Sequence, residues 1–137
     1  MATREFDFLV LGSGLAGLSF ALEAARHGTV GVLTKAQAEE SNTGYAQGGI
    51  AAAVGEADSW ELHERDTLIA GAGLNDVDAV RFLVRQAPEA IEWLRSLGAR
   101  FDVRPEDNAL ALGREGGHSR SRIVHHADNT GWEIERA

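Results

Sequence analysis

The chain has 137 residues, 44% apolar and 25% charged, with a formal net charge of −8, the composition of a globular domain able to bury one core. The acidic balance excludes a general nucleic-acid binder, because phosphate contacts need a basic face. With no cysteine there is no disulfide framework, thiolate nucleophile or cysteine metal site, and a reducing cytoplasm is the expected location.

"MATREFDFLVLGSG" at the N-terminus has neither the length of a membrane span nor the pattern of a signal peptide. Within it, "FDFLVL", residues 6–11, is a short apolar run ended by glycine, the profile of a buried parallel strand. Residues 15–27 place Leu15, Leu18, Ala21, Leu22 and Ala25 on one helical face, and Gly28 is a natural stop. "TVGVLT", residues 29–34, reads as a second buried strand. Strand, glycine turn, helix and strand in about thirty residues make a right-handed βαβ unit.

Residues 41–57 form a long loop of small residues. Asp58 with Glu61 is an expected capping box for a helix reaching Ala70, closed by Gly71 and Gly73. Asp76 caps the next helix, which turns Ala79, Val80, Leu83 and Val84 inward. Pro88 is expected to start a further helix carrying Ile91, Leu94 and Leu97 and stopping at Gly98. "RFDV" and "ALAL" flank the turn-rich "RPEDN" as a short hairpin. Thr130 and Glu133 form another capping box, so a helix begins near Gly131. A chain ending under two turns into a capped helix reads as a fragment of something longer. The expected fold class is α/β: a Rossmann-like βαβ start, then helices and a short hairpin, an incomplete part of a larger domain. Two parallel strands without the rest of their sheet are expected to leave the isolated chain marginal or self-associating.

Gly12-Ser13-Gly14-Leu15-Ala16-Gly17 is a G-x-G-x-x-G between a strand and a helix, the context that dinucleotide binding needs. Gly12 permits the tight turn, Gly14 lets a pyrophosphate approach the backbone, and Gly17 lets helix and strand pack closely. The helix N-terminus adds free N–H groups and partial positive charge. The acid usually found about twenty residues further on is absent, and Thr34 and Lys35 stand there. Lys35 either points at phosphate or adenosine or is a solvated strand end. A second loop, Ser41-Asn42-Thr43-Gly44-Tyr45-Ala46-Gln47-Gly48-Gly49-Ile50, has the small residues and spaced polar groups of backbone laid along a flat ligand.

Both glycine sites in this order, with "SNTGYAQGGIAAAV", "DTLIAGAGLND" and "REGGHSRSRIVHHADNTG", resemble the succinate dehydrogenase/fumarate reductase flavoprotein family. Within it they are most similar to the branch that oxidises L-aspartate. The resemblance covers essentially the whole chain, as a partial FAD-binding domain over residues 1–137 at the N-terminus of a longer flavoprotein. It implies that Ser13, Gly14, Leu15 and Ala16 line the FAD pyrophosphate, with Gly12 and Gly17 shaping the turn. Lys35 then contacts FAD, and Asn42, Thr43, Gly44, Tyr45, Ala46, Gln47, Gly48 and Gly49 run beside the ribityl chain and isoalloxazine. In the succinate and fumarate branch a histidine just before the threonine carries a covalent bond to FAD. Asn42 holds that place here, so noncovalent FAD is implied. Gly44 and Ser121 depart from the family pattern.

The implied reaction moves hydride from the L-aspartate α-carbon to flavin, giving iminoaspartate, with oxygen or fumarate as electron acceptor. The product would feed quinolinate and NAD synthesis, which makes quinolinate synthase a candidate partner; no nucleic acid and no membrane is implied. The base and substrate clamps of that branch lie in sequence beyond Ala137, so the isolated chain is expected to be inactive. Alternatives are a fumarate reductase or succinate dehydrogenase flavoprotein, or a noncatalytic nucleotide-binding module.

"GREGGHSRSR", residues 113–122, sets one acid against several cations. From the residues alone, Glu115 pairs with Arg114, Arg120 or Arg122 as a surface network. The resemblance implies instead that Glu115 faces the substrate ammonium, the one group that separates aspartate from succinate. His118 is either a carboxylate donor or a structural hydrogen-bonder. Arg120 and Arg122 alternate at strand spacing and would share a face, solvated or holding the loop. Glu115-x-x-His118 lacks the second copy a di-iron site needs. His125 and His126 would point to opposite faces of a strand, and no metal is expected. Trp60, Trp93 and Trp132 have helical placements and read as packing.

Overall fold

The computed structural model describes residues 3–137. Strands β1 (Phe8–Leu11) and β2 (Val30–Leu33) pair in parallel, from Phe8 opposite Val30 to Leu11 opposite Leu33. Helix α1 (Leu15–Ala24) crosses between them, giving the expected βαβ unit and α/β class. The strands are shorter than expected because their entry is clamped by side chains. The Asp7 carboxylate accepts from the Thr29 amide at 2.8 Å and the Thr29 hydroxyl at 2.7 Å.

The expectation that both strands are buried fails. Leu9, Leu11 and Leu33 are 62%, 74% and 60% exposed, since a two-stranded sheet offers them no neighbouring strand and α1 covers one face only. Leu22 and Ala25 also face solvent, and Ala24 carries the buried contact of α1.

The expected loop over 41–57 contains a short strand, β3 (Ile50–Ala51). It pairs antiparallel with β5 (Ile123–Val124), which also pairs with β4 (Leu112–Gly113), in the order β3-β5-β4. The core lies against this small sheet and joins Ala52, Ile91, Leu94, Ala99, Phe101, Val124 and Ile134.

Helix α2 (Trp60–Ala70) begins where expected, but Ser59 is its cap: the hydroxyl accepts from the Leu62 amide at 3.3 Å. Asp58 does not cap because both of its carboxylate oxygens face the Arg122 guanidinium, a charge-assisted fork stronger than a helix cap. Helix α3 (Val77–Leu97) is one helix, not two, with Pro88 inside it. Asp76 caps it as expected, accepting from the Ala79 amide at 3.0 Å. Val80, Val84, Ile91 and Leu94 are buried along one stripe on both sides of the proline. Burying each is worth about 1.5–3 kcal/mol, which together exceeds the ~3 kcal/mol cost of an internal proline. Ala79 and Leu83 turn outward. Gly98, at φ 104°, ends the helix in a left-handed cap.

The expected hairpin shrinks to one antiparallel bridge between Val103 and Leu110, where the Arg104 amide donates to the Ala109 carbonyl at 2.8 Å. Helix α4 (Thr130–Arg136) has Asn129 as its cap residue and no capping box. The Thr130 hydroxyl accepts from the His126 amide at 3.0 Å. The Glu133 carboxylate accepts from the Arg100 amide at 2.6 Å and from Arg136. Trp60 lies under the Arg85 guanidinium, 5.0 Å from the ring centroid, while Trp93 and Trp132 are partly exposed. No helix among the described residues is long and apolar enough to cross a membrane.

Candidate functional site

The turn between β1 and α1 has the geometry its glycines imply. Gly12 sits at φ 106°, a left-handed conformation that side chains disfavour. A Cβ on Gly17 would overlap the Gly12 carbonyl oxygen, so helix and turn close to backbone contact. Gly14 is the N-cap residue of α1 and brings no side-chain acceptor to it. In the first turn the Leu15 amide is held by a side chain, donating to the Thr43 hydroxyl at 3.1 Å. Ser13 is buried and its hydroxyl donates to Thr34 at 3.3 Å, so the residue in place of the missing acid braces the turn. Lys35 and Ala16 are exposed.

The second loop is folded over itself and backed by α4. The Tyr45 amide donates to the Ser41 carbonyl and the Ala46 amide to the Thr43 carbonyl. The Ser41 hydroxyl accepts from the Gly44 amide at 3.1 Å and donates to the Glu135 carboxylate. A Cβ on Gly44 would overlap Glu135 and stand 2.7 Å from the Glu39 carbonyl oxygen. The family departure at Gly44 is therefore matched by a glutamate filling that space. The Gly131 amide, in the first turn of α4, donates to the Ala46 carbonyl at 2.9 Å, and a Cβ there would overlap the Thr43 carbonyl. Gly49 is packed against Ile123 and Val124 in the same way. Asn42, Tyr45, Ala46, Gln47 and Gly48 are exposed.

Glu115 approaches this loop. Its Oε1 lies 3.7 Å from where a Cβ on Gly48 would stand, and among the described residues it has no ion-pair partner. The surface network expected from the residues alone does not form, and Arg114 and Arg122 are engaged elsewhere. Arg114 Nε donates to the His118 carbonyl at 3.0 Å. Arg122 is fully buried, its Nε and Nη2 each 2.8 Å from Asp58 and its Nη1 2.8 Å from Asp66. Arg120 is exposed. The two arginines do not share a face because the strand begins only at Ile123.

Asp66 also accepts the Ser119 amide and hydroxyl, both at 2.7 Å. Burial alone would raise the Asp66 carboxyl, but the Ser119 donors and the Arg122 guanidinium outweigh it and hold it below its ordinary value. Burial likewise works against the Arg122 cation, and Asp58 and Asp66 overcome it. His118 Nδ1 is 3.4 Å from Arg122 Nη1. A guanidinium only donates, so Nδ1 is the acceptor and the proton of a neutral His118 sits on Nε2. The His63 ring is 5.7 Å from that of His118. Burial first, then the Arg122 charge and His118, hold His63 below its ordinary value.

His125 and His126 do not diverge as expected. The strand stops at Val124, and both rings approach Asp102, at 2.9 Å and 4.0 Å. Among the described residues no three histidine, aspartate or glutamate side chains form a metal cluster.

The segment over residues 42–49 thus approaches two others, residues 12–17 at Thr43 and Glu115 at Gly48. Residues 12–17 fit a dinucleotide: the N-cap residue brings no side chain to the first turn of α1, Gly12 is left-handed and Gly17 excludes any side chain. The buried Asp58–Arg122–Asp66 group escaped sequence reasoning. One signal was available: His63 and Asp66 stand three apart on α2, hence on one face, and both are buried.

Residues 7–136 match the family described as FAD binding domain. A chloroplastic L-aspartate oxidase of Nicotiana tabacum is 57% identical over 136 residues, covering 99% of this chain and 21% of the relative. An L-aspartate oxidase of Vibrio cholerae is 51% identical over 136 residues, covering 96% of this chain and 25% of the relative. Among solved structures, a quinol fumarate reductase of E. coli superposes with a TM-score of 0.89 at 32% identity, covering 99% of this chain and 24% of that one. The chain spans about a fifth to a quarter of the length of the curated relatives it matches.

Proposed function

The chain belongs to the FAD binding domain family, and on that premise we propose that it carries the cofactor loops and the substrate-selecting acid of an L-aspartate oxidase. Residues 1–137 are then one part of a larger FAD-binding domain. The observation that carries the reading is the placement of Glu115 beside Gly48 of the second glycine loop, an acid without an ion-pair partner among the described residues.

In this reading Ser13, Gly14, Leu15 and Ala16 hold the pyrophosphate at the N-terminus of α1, with Gly12 and Gly17 shaping the turn. Lys35 touches the cofactor at the end of β2. Asn42, Thr43, Gly44, Tyr45, Ala46, Gln47, Gly48 and Gly49 lie along the rest of it. Asn42 has no nucleophilic ring nitrogen, so FAD is bound noncovalently. FAD, when bound, supplies the acceptor for the hydride leaving the aspartate α-carbon. The chain's own contribution is to orient. Glu115 takes the substrate ammonium in a charge-assisted contact and disfavours a dicarboxylate that has no cation to offer.

Aspartate is the substrate, oxygen or fumarate the electron acceptor, and iminoaspartate the product, which makes quinolinate synthase the partner to test. The cysteine-free composition suits a reducing cytoplasm. The similarity of fold to a fumarate reductase supports common ancestry of the cofactor site, while Asn42 and Glu115 favour aspartate.

The test is Glu115→Gln in the FAD-loaded full-length protein. The expected result is a KM for L-aspartate raised at least about tenfold, the worth of one charge-assisted contact, with tighter inhibition by succinate. An unchanged aspartate KM sinks the assignment.

A further inference from the structure

We propose that Asp66 and Arg122 are positioning residues for Glu115, through Ser119 and the loop over residues 113–122, and so set the preference for an amino dicarboxylate. This rests on the reading of Glu115 given above. Glu115 itself is exposed and makes no ion pair among the described residues, yet the loop that carries it is pinned at several points. At its start the Gly113 carbonyl accepts the Arg122 amide at 3.0 Å, and the Glu115 carbonyl accepts the His118 amide at 3.3 Å. Past the glycines, Arg114 Nε reaches forward to the His118 carbonyl, and Gly117 turns the chain at φ 83°. Next, the Ser119 amide and hydroxyl both end on one oxygen of Asp66. At its end, Arg122 is fully buried between Asp58 and Asp66.

The physical logic is a division of roles. A carboxylate that must meet an ammonium at a fixed point cannot also be tied down by its own ion pair, because that pair would compete with the substrate. Its backbone has to be fixed instead. Gly116 and Gly117 cannot fix it, since glycine lowers rigidity. The rigidity comes from α2, through Asp66, whose carboxylate holds Ser119 and Arg122 together. A buried ion pair of this kind adds little net stability; what it supplies is a single geometry. His118 Nδ1 lies 3.4 Å from the same guanidinium, and the His63 ring is 5.7 Å from that of His118.

Removing Arg122 would leave two buried carboxylates and threatens the fold, so the test uses Ser119→Ala, which deletes one bond to Asp66 and keeps the backbone one. Asp66→Asn is the second variant. Both are made in the FAD-loaded full-length protein, alone and with Glu115→Gln. Three readouts are taken: the ratio of aspartate KM to succinate inhibition constant, the FAD content, and hydrogen exchange of the amides over 114–121. The expected result for Ser119→Ala is faster exchange confined to that loop, unchanged FAD content, and that ratio raised about three- to tenfold, the scale of one ordinary hydrogen bond. The Ser119→Ala effect on the ratio should vanish when Glu115 is already Gln. An unchanged ratio in Ser119→Ala, with Glu115→Gln alone still effective, overturns the inference. So does full additivity of the two. An unchanged ratio in Glu115→Gln alone overturns the functional reading, and the inference with it.

Discussion

The Leu15 amide donates to the Thr43 hydroxyl across 3.1 Å, which makes the first turn of α1 and the second glycine loop one unit. A ligand lying along both therefore meets surfaces whose separation is already set. Thr43→Val keeps the shape and loses the acceptor. The expected loss is about 1 kcal/mol, or about fivefold in FAD affinity, with Thr43→Ser near wild type. Flavin fluorescence titration of the apoprotein reads both. Equal affinity for Thr43→Val and wild type would show that the bond does not order the site.

Asn42 makes a second, qualitative prediction. Acid precipitation of the FAD-loaded protein should send all flavin absorbance to the supernatant. Yellow colour kept in the washed pellet would mean a covalent link and would remove Asn42 from the argument.

His63 sets a pH dependence. Its imidazole is buried and held below its ordinary value of 6.5 by burial, by Arg122 and by His118. The unfolded chain therefore takes up a proton near 6.5 while the fold still resists it. Stability contributed by neutral His63 is present above that pH and is lost as pH falls below it. Urea midpoints measured between about pH 5 and 7.5 should drop toward acid, and His63→Gln should flatten that drop. A slope untouched by the substitution would point to other groups.

Glu133 acts at lower pH. Arg136 first, then the Arg100 amide, working against burial, bring its carboxyl from 4.5 to about 2. A depressed carboxyl stabilises the fold above its unfolded value and loses that contribution as pH falls from 4.5 toward 2. Arg136 is partly exposed, so the full linkage figure is discounted to the order of 2 kcal/mol. Glu133→Gln should lower the unfolding free energy from urea titration at pH 7 by about that amount and leave a flatter acid limb. Parallel acid limbs for the two proteins would count against this carboxyl.

Much of this was legible in the chain because it depends on local chemistry. Gly12 and Gly17 announce a turn and a close approach wherever they follow an apolar run, and the structure places them so. Asp76 caps as read. Most of the misses have another cause: a side chain engaged by a partner outside its own helix. Asp58 looks like a cap until Arg122, 64 residues on, takes both its oxygens. Thr130 and Glu133 look like a capping box until His126 and Arg100 take them. Pro88 looks like a helix start because its cost is local, whereas the stripe of Val80, Val84, Ile91 and Leu94 that overrides it is tertiary.

Gly44 and Glu135 occupy one space from two distant parts of the chain. Such a pair should drift together over evolutionary time. A lineage that gains a larger residue at position 44 would need a shorter one at 135, together with a small shift of the Glu39 carbonyl, and would lose the Ser41–Glu135 bond in the same step. An alignment of close relatives should therefore show positions 44, 135 and 41 changing as a set, a signature of packing that is independent of what the loop binds.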